Sequence, residues 1–134
     1  MKRITTLLTV LIILLSFSLL QAGEQERTPE FWNVYSKNLV KCIKEGNEGV
    51  RNAALQRVIT YGDNLNVNDA VFEIMHIYRT DKDQHARQLA LSALHTMKNE
   101  WAIGFLKLQA PHEKNPTLQK QIYAMIKDFE QSKI

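Results

Sequence analysis

One cysteine, four histidines and a single Glu-x-x-His pair are the residues of this chain best suited to nucleophilic or metal chemistry. A lone thiol, Cys42, can form no internal disulfide and no zinc site built on several thiolates. Its place in an apolar helical stripe predicts a buried, inert side chain. The other reading is a disulfide between two chains in an oxidising compartment. Glu73 and His76 have the spacing that puts both side chains on one helical face. Di-iron bundles need two such motifs and two further glutamates, and the chain carries no second motif. His85 precedes an apolar stripe, His95 falls on its outer side, and His112 follows Pro111. These spacings supply no ligand set of adequate number, so neither metal nor cofactor is expected. Cys-x-x-Cys-His, Gly-x-Ser-x-Gly, the phosphate loop and the dinucleotide fingerprint are missing as well. A Ser/His/Asp arrangement could still meet in space, but nothing in the order of residues favours one. No catalytic residue is assigned, and the chain reads as a non-enzyme.

The elements that would position these residues belong to one small domain. The chain has 134 residues, 45% hydrophobic and 23% charged, a composition that folds rather than staying disordered. Residues 1–22 have the layout of a secretory signal. Met1-Lys2-Arg3 is a positive start, an apolar run extends from Leu7 to Leu20, and Gln21-Ala22-Gly23 offers small residues for cleavage near Ala22. Removing 22 of the 134 residues leaves 112, enough for one domain and too few for two. The rival reading is an uncleaved anchor, which Thr5, Thr6, Thr9, Ser16, Ser18 and Gln21 weaken. Either way the domain is expected outside the cytoplasm, in the periplasm or the extracellular space. The full chain counts 17 basic against 14 acidic side chains. Lys2 and Arg3 belong to the signal, so the mature chain keeps 15 against 14, a balance of +1. A nucleic-acid partner normally requires a dense basic patch, which this balance does not provide.

After a short linker, residues 23–29, the pattern predicts six helices over 30–134. Thr28 can cap the first helix, and Pro29 suits its first position because its missing N–H costs nothing there. Phe31, Val34, Tyr35, Leu39, Cys42 and Ile43 follow at helical spacing, and Gly46 ends the run. Asn47 caps a second helix that carries Val50, Ala54 and Val58 and is followed by Gly62. Asn66 is the expected cap of a third, carrying Val67, Ala70, Val71, Ile74, Ile77 and Tyr78. Asp81 or Asp83 caps a fourth, with Ala86, Leu89, Ala90, Ala93, Leu94 and Met97 as its stripe. A fifth runs from about Glu100 to Leu108, and Asn115-Pro116 opens a sixth. No segment alternates with the period of a strand, so the fold class is all-α.

The even-numbered helices repeat one another. Val50, Ala86 and Leu118 fall in register, and so do Ala54, Ala90 and Ile122, then Leu55, Leu91 and Tyr123, then Val58, Leu94 and Ile126. The offsets are 36 and 32 residues. Asn47, Asp83 and Asn115 each stand four positions before Arg51, Arg87 and Gln119. A period in this range indicates helical hairpins that stack because one hairpin cannot bury its apolar face alone. Arg51 and Arg87 then have a structural task, pairing with the preceding cap or with the neighbouring hairpin. Trp32, Tyr61, Tyr78 and Trp101 lie near helix ends, where aromatics seal the junctions between hairpins or, if exposed, anchor a partner.

The runs Arg51-Asn52-Ala53-Ala54-Leu55 and Asp83-Gln84-His85-Ala86-Arg87-Gln88-Leu89-Ala90-Leu91-Ser92-Ala93-Leu94 resemble the second helix of HEAT-type repeats. The resemblance spans roughly residues 30–130 and implies an α-solenoid of about three hairpins. It also implies a scaffold whose concave face, lined by second helices, binds another protein. On that face the outward residues would be Gln56, Gln88, Ser92, His95, Gln121 and Lys127, mostly uncharged, with His95 able to respond to pH. Asn47, Arg51, Asp83, Arg87 and Asn115 would hold the repeats together. The function expected is an exported, non-catalytic binding or adaptor module of the cell envelope. The alternatives are a small exported metal protein or enzyme built around His76 and His95, and a structural subunit that self-associates through its open ends. A membrane is expected to be touched only through an uncleaved signal.

Overall fold

The structure is a computed structural model, and it describes residues 27–134. The expected signal segment lies outside the described residues. Among them the chain is all-helical, with six α-helices packed against one another. They are α1 (Pro29–Glu45), α2 (Glu48–Tyr61), α3 (Val71–Thr80), α4 (Gln84–Met97), α5 (Glu100–Gln109) and α6 (Pro116–Gln131).

Most of the helix starts are set by the residues that their chemistry singles out. Thr28 Oγ1 accepts the Phe31 amide at 3.2 Å, and Asn47 Oδ1 accepts the Val50 amide at 3.0 Å. Asp83 accepts from His85 at 3.1 Å, and Asn115 accepts from Thr117 and Leu118 at 3.0 and 3.2 Å. Asn99, in the same role for α5, accepts the Ala102 amide at 3.0 Å. Each satisfies an amide that would otherwise lack a partner at a helix start.

The third helix departs from the expectation. Asn66 does not cap it: its carboxamide oxygen accepts from the Asn68 amide at 3.3 Å, and the chain then makes a 3₁₀ turn, Asn68–Ala70, before α3 begins at Val71. Another 3₁₀ turn, Gly62–Asn64, follows α2 directly. The reason lies thirty residues upstream. Ser36, a buried polar residue, donates to Trp32 O at 2.8 Å and accepts the Asn66 amide at 3.0 Å. That bond fastens the link between the first two hairpins to α1 and leaves the turn, not Asn66, to start the helix.

Consecutive helices pack in pairs, α1 with α2, α3 with α4 and α5 with α6, while α2, α4 and α6 also pack side by side. The middle second helix, α4, is therefore the hub. Its Ala86, Ala90 and Ala93 are fully buried, as are Leu91 and Leu94. Small side chains let neighbouring helices come close, and the two leucines fill what remains. Leu55 and Leu91 are fully buried, whereas Tyr123, at the same register in α6, is half exposed.

Candidate functional site

The register seen in the sequence corresponds to a repeated contact. Arg87 Nε donates to Tyr78 O at 2.6 Å, and Gln119 Nε2 donates to Ala110 O at 2.8 Å, each nine residues back across its own hairpin. Arg51 Nη1 reaches Gly46 O, five residues back, at 3.4 Å. All three bind a carbonyl near the end of the first helix of their hairpin.

Around Arg87 this contact grows into the most connected polar cluster among the described residues. Arg87 Nη2 donates to Glu113 Oε2 at 2.8 Å, and the Tyr78 hydroxyl donates to the same oxygen at 2.7 Å. The Asn115 amide donates to Glu113 Oε1 at 2.9 Å, and the Arg87 guanidinium lies 5.4 Å from the Tyr78 ring centre. The Glu113 side chain is only 6% exposed. Burial alone would raise its carboxyl, but the Asn115 amide, the Tyr78 hydroxyl and Arg87 outweigh that and hold it below the ordinary glutamate value. Burial, reinforced by the Glu113 charge, pushes the Tyr78 hydroxyl well above its ordinary value, so it remains a donor. Among the described residues, no buried side-chain nitrogen or oxygen is left without a hydrogen-bond partner. The cluster borders a cleft of about 260 Å³ that Arg79, Gln109, His112 and Lys114 also line.

The equivalent position one hairpin earlier is a larger cleft of about 410 Å³. Arg51, Glu73, His76, Ile77 and Asp81 line it, with Glu48, Thr80, Lys82 and Asp83. Glu73 and His76 thus share a cleft as their spacing implies. Among the described residues, no three His, Cys, Asp or Glu side chains gather to hold a metal ion.

The polar residues expected on the second-helix face divide into two groups. Gln121 Nε2 donates to Gln88 O at 3.2 Å and to Ser92 Oγ at 3.1 Å, and His95 Nε2 stands 2.7 Å from Asp128 Oδ2. These residues join α4 to α6, so Gln88, Ser92, His95 and Gln121 are brought together. Gln56 and Lys127 stand apart from them, on exposed surface of α2 and α6. Asn115 also reaches across the same seam, its Nδ2 donating to Gln84 Oε1 at 2.9 Å.

Exposed apolar residues lie elsewhere, among them Phe31 and Val34 of α1 and a group on α3 and α5. Trp101, Phe105 and Leu108 follow one face of α5, and Phe72 of α3 stands beside them. Phe72 and Trp101 meet edge to face at 4.7 Å, Trp101 and Phe105 stack at 5.9 Å, and Arg79 lies 5.7 Å from the Phe105 ring centre. Phe72 is 67% exposed, Trp101 49% and Leu108 71%. The sequence marked Trp101 as a residue of a helix end but gave no sign that Phe72 would join it. Phe72 follows buried Val71 at the start of α3 but points outward, and only its contact with Trp101 of α5 makes the two rings one surface.

A second aromatic group closes the other end of the molecule. Trp32 and Tyr61 stand 5.6 Å apart, and the Arg27 guanidinium lies 5.1 Å from the Tyr61 ring centre. Cys42 is a free thiol, half-buried against the core. No described helix is long and apolar enough to cross a membrane. The chain matches no family model, no curated protein and no solved structure, so its function has to be argued from its own geometry.

Proposed function

We propose that this chain is an exported, non-catalytic binding module of the cell envelope, an α-solenoid of three HEAT-like hairpins that engages another protein. The solenoid reading is supported by the recurring carbonyl contacts of Arg51, Arg87 and Gln119, and by the side-by-side second helices. The export reading rests on the signal-like residues 1–22 alone. The binding reading is carried by one observation, the exposed Phe72 and Trp101 rings meeting each other beside the half-buried Phe105, with exposed Leu108 further along α5 and Arg79 against Phe105. Rings exposed to water at such a density are costly unless a partner covers them, and Trp and Arg are the side chains that contribute most at protein interfaces.

On this reading the contact lies along α3 and α5. The polar residues of the second-helix face are the competing surface, and there Gln121 is already bonded to Ser92 and to the Gln88 carbonyl, and His95 to Asp128. Two variants of the full chain separate the two surfaces. One carries Phe72→Ser and Trp101→Ser, the other Gln88→Ala, Ser92→Ala and His95→Asp. Pull-downs from envelope extract, with the unaltered chain as reference, should capture a protein that the first variant loses and the second retains. The reverse pattern would return the contact to the second helices. No captured protein from a well-folded bait would remove the adaptor reading.

Self-association is the second reading, favoured by the half-exposed Tyr123 at the register where Leu55 and Leu91 are buried. Light scattering should then show a mass that rises with concentration and that Tyr123→Glu holds at the monomer. A strict monomer at all concentrations would remove this reading.

A further inference from the structure

The two seams between hairpins are built from equivalent residues, and only one of them is closed by an ion pair. Before α6 the link reads Glu113-Lys114-Asn115, and Glu113 Oε1 accepts the Asn115 amide at 2.9 Å while Oε2 takes Arg87. Before α4 the link reads Asp81-Lys82-Asp83, and Asp81 Oδ1 accepts the Asp83 amide at 2.9 Å. The same turn is made, with a side chain one methylene shorter. The arginine that corresponds to Arg87 is Arg51. Among the described residues no carboxylate comes within 4.0 Å of the Arg51 guanidinium, whose one side-chain bond is to Gly46 O at 3.4 Å. Where Glu113 fills the later seam, the earlier one opens into the cleft of about 410 Å³, against about 260 Å³.

The walls of that cleft decide what could occupy it. A guanidinium without a carboxylate partner is a strong, directional receptor for one. Glu48, Glu73, Asp81 and Asp83 line the same cleft, however, against only Arg51, Lys82 and a histidine. A simple anion would be repelled by four carboxylates. A ligand that carries its own ammonium a few atoms from its carboxylate satisfies both sets of groups. Buried Ile77 gives the cleft one apolar lining residue, and the volume suits a small molecule rather than a folded partner.

We propose that this cleft binds a free α-amino acid, with its carboxylate on Arg51 in the place that Glu113 takes one hairpin later. Its ammonium faces Glu73 and Asp81. The site does not depend on the protein-binding surface along α3 and α5.

The test is a titration of the full, isotope-labelled chain with glycine, followed by NMR at the Arg51 side-chain Nε–Hε signal. Two relatives of the probe separate its charges: N-acetylglycine lacks the ammonium, and glycinamide lacks the carboxylate. Glycine should give a saturable shift with a Kd of about 1 mM, and each relative should bind at least about tenfold more weakly. Asp81→Glu decides the structural argument, because it supplies an internal carboxylate of the length found in Glu113. That variant should raise the unfolding temperature and lose glycine binding, and Arg51→Gln should lose binding as well. The proposal is overturned if glycine gives no saturable shift. It is also overturned if glycinamide binds as tightly as glycine, or if Asp81→Glu leaves the glycine affinity unchanged.

Discussion

Arg87 and Glu113 meet at 2.8 Å across the seam between the second and third hairpins, and the same Glu113 oxygen holds the Tyr78 hydroxyl at 2.7 Å. One carboxylate therefore joins three elements: the end of α3, the first turn of α4 and the link into α6. Removing only one side of such a pair leaves the other buried and unmatched, which costs more than the pair itself contributes. Glu113→Gln and Arg87→Met should each lower the free energy of unfolding by about 3 kcal/mol, as read from urea denaturation. The double variant should lose clearly less than the sum of the two, since removing both leaves no stranded charge. Additive losses would mean that the two side chains act independently.

The same carboxylate sets an acid limit. Its folded pKa lies below the ordinary glutamate value of 4.5, so the stability it contributes is fully present above that pH. It is lost as the pH falls from there through the folded value. The Tyr78 hydroxyl works in the opposite direction. Its folded pKa is raised, so its contribution is present below the ordinary value of 10.0 and is lost as the pH rises beyond it. Unfolding midpoints measured across pH should form a plateau that falls on both sides. Glu113→Gln should flatten the acid side more than Tyr78→Phe does, and Tyr78→Phe should flatten the alkaline side. An acid side unchanged by Glu113→Gln would move the acid dependence to other carboxylates.

The sequence made the caps and stripes legible because these are local: Asn47, Asp83 and Asn115 act within three residues of themselves. The register of Arg51 and Arg87 was legible too, since helical repetition survives in residue type. Which carbonyl or carboxylate each would reach was not, because Glu113 lies 26 residues from Arg87. Asn66 misled for the same reason. Its type and position mark a cap, but a long-range bond from its own amide to Ser36 outweighs that local preference. The exposed rings of Phe72 and Trp101 could not be paired from their spacing, since neither lies within a helical turn of the other in sequence.

Ser36→Ala should show how much that long-range bond contributes. The substitution removes the partner of the Asn66 amide in a part-buried bond, a loss of about 0.5–1.5 kcal/mol. Amide hydrogen exchange would localise the effect. Protection should fall at Asn66 and along the turns between α2 and α3 before it falls in α4. A uniform loss of protection through all six helices would show that the bond supports the whole fold and not this link.

Gly62→Ala sets two effects of opposite sign against each other. Gly62 has φ −50°, a conformation that alanine adopts freely, and replacing glycine at such a site usually stabilises by about 0.4–1 kcal/mol through the unfolded chain. Here the added methyl would run into Thr96 Cγ2 of α4, which sits against the bare backbone of Gly62. Thr96 is short, branched and held by its own bond to Ser92 O at 3.0 Å, so it cannot swing away. Overpacking of this kind costs about 1–3 kcal/mol, which exceeds the gain. Gly62→Ala should therefore destabilise, even though its backbone geometry alone predicts the reverse. Thr96→Ser deletes the offending methyl and keeps the hydroxyl, so adding it to Gly62→Ala should recover most of the loss. A double-mutant cycle in urea checks this directly, and a strongly favourable coupling between the two substitutions is the expected result. If Gly62→Ala alone stabilises, α4 yields to the new methyl, and the seam between the first two hairpins is softer than its packing implies.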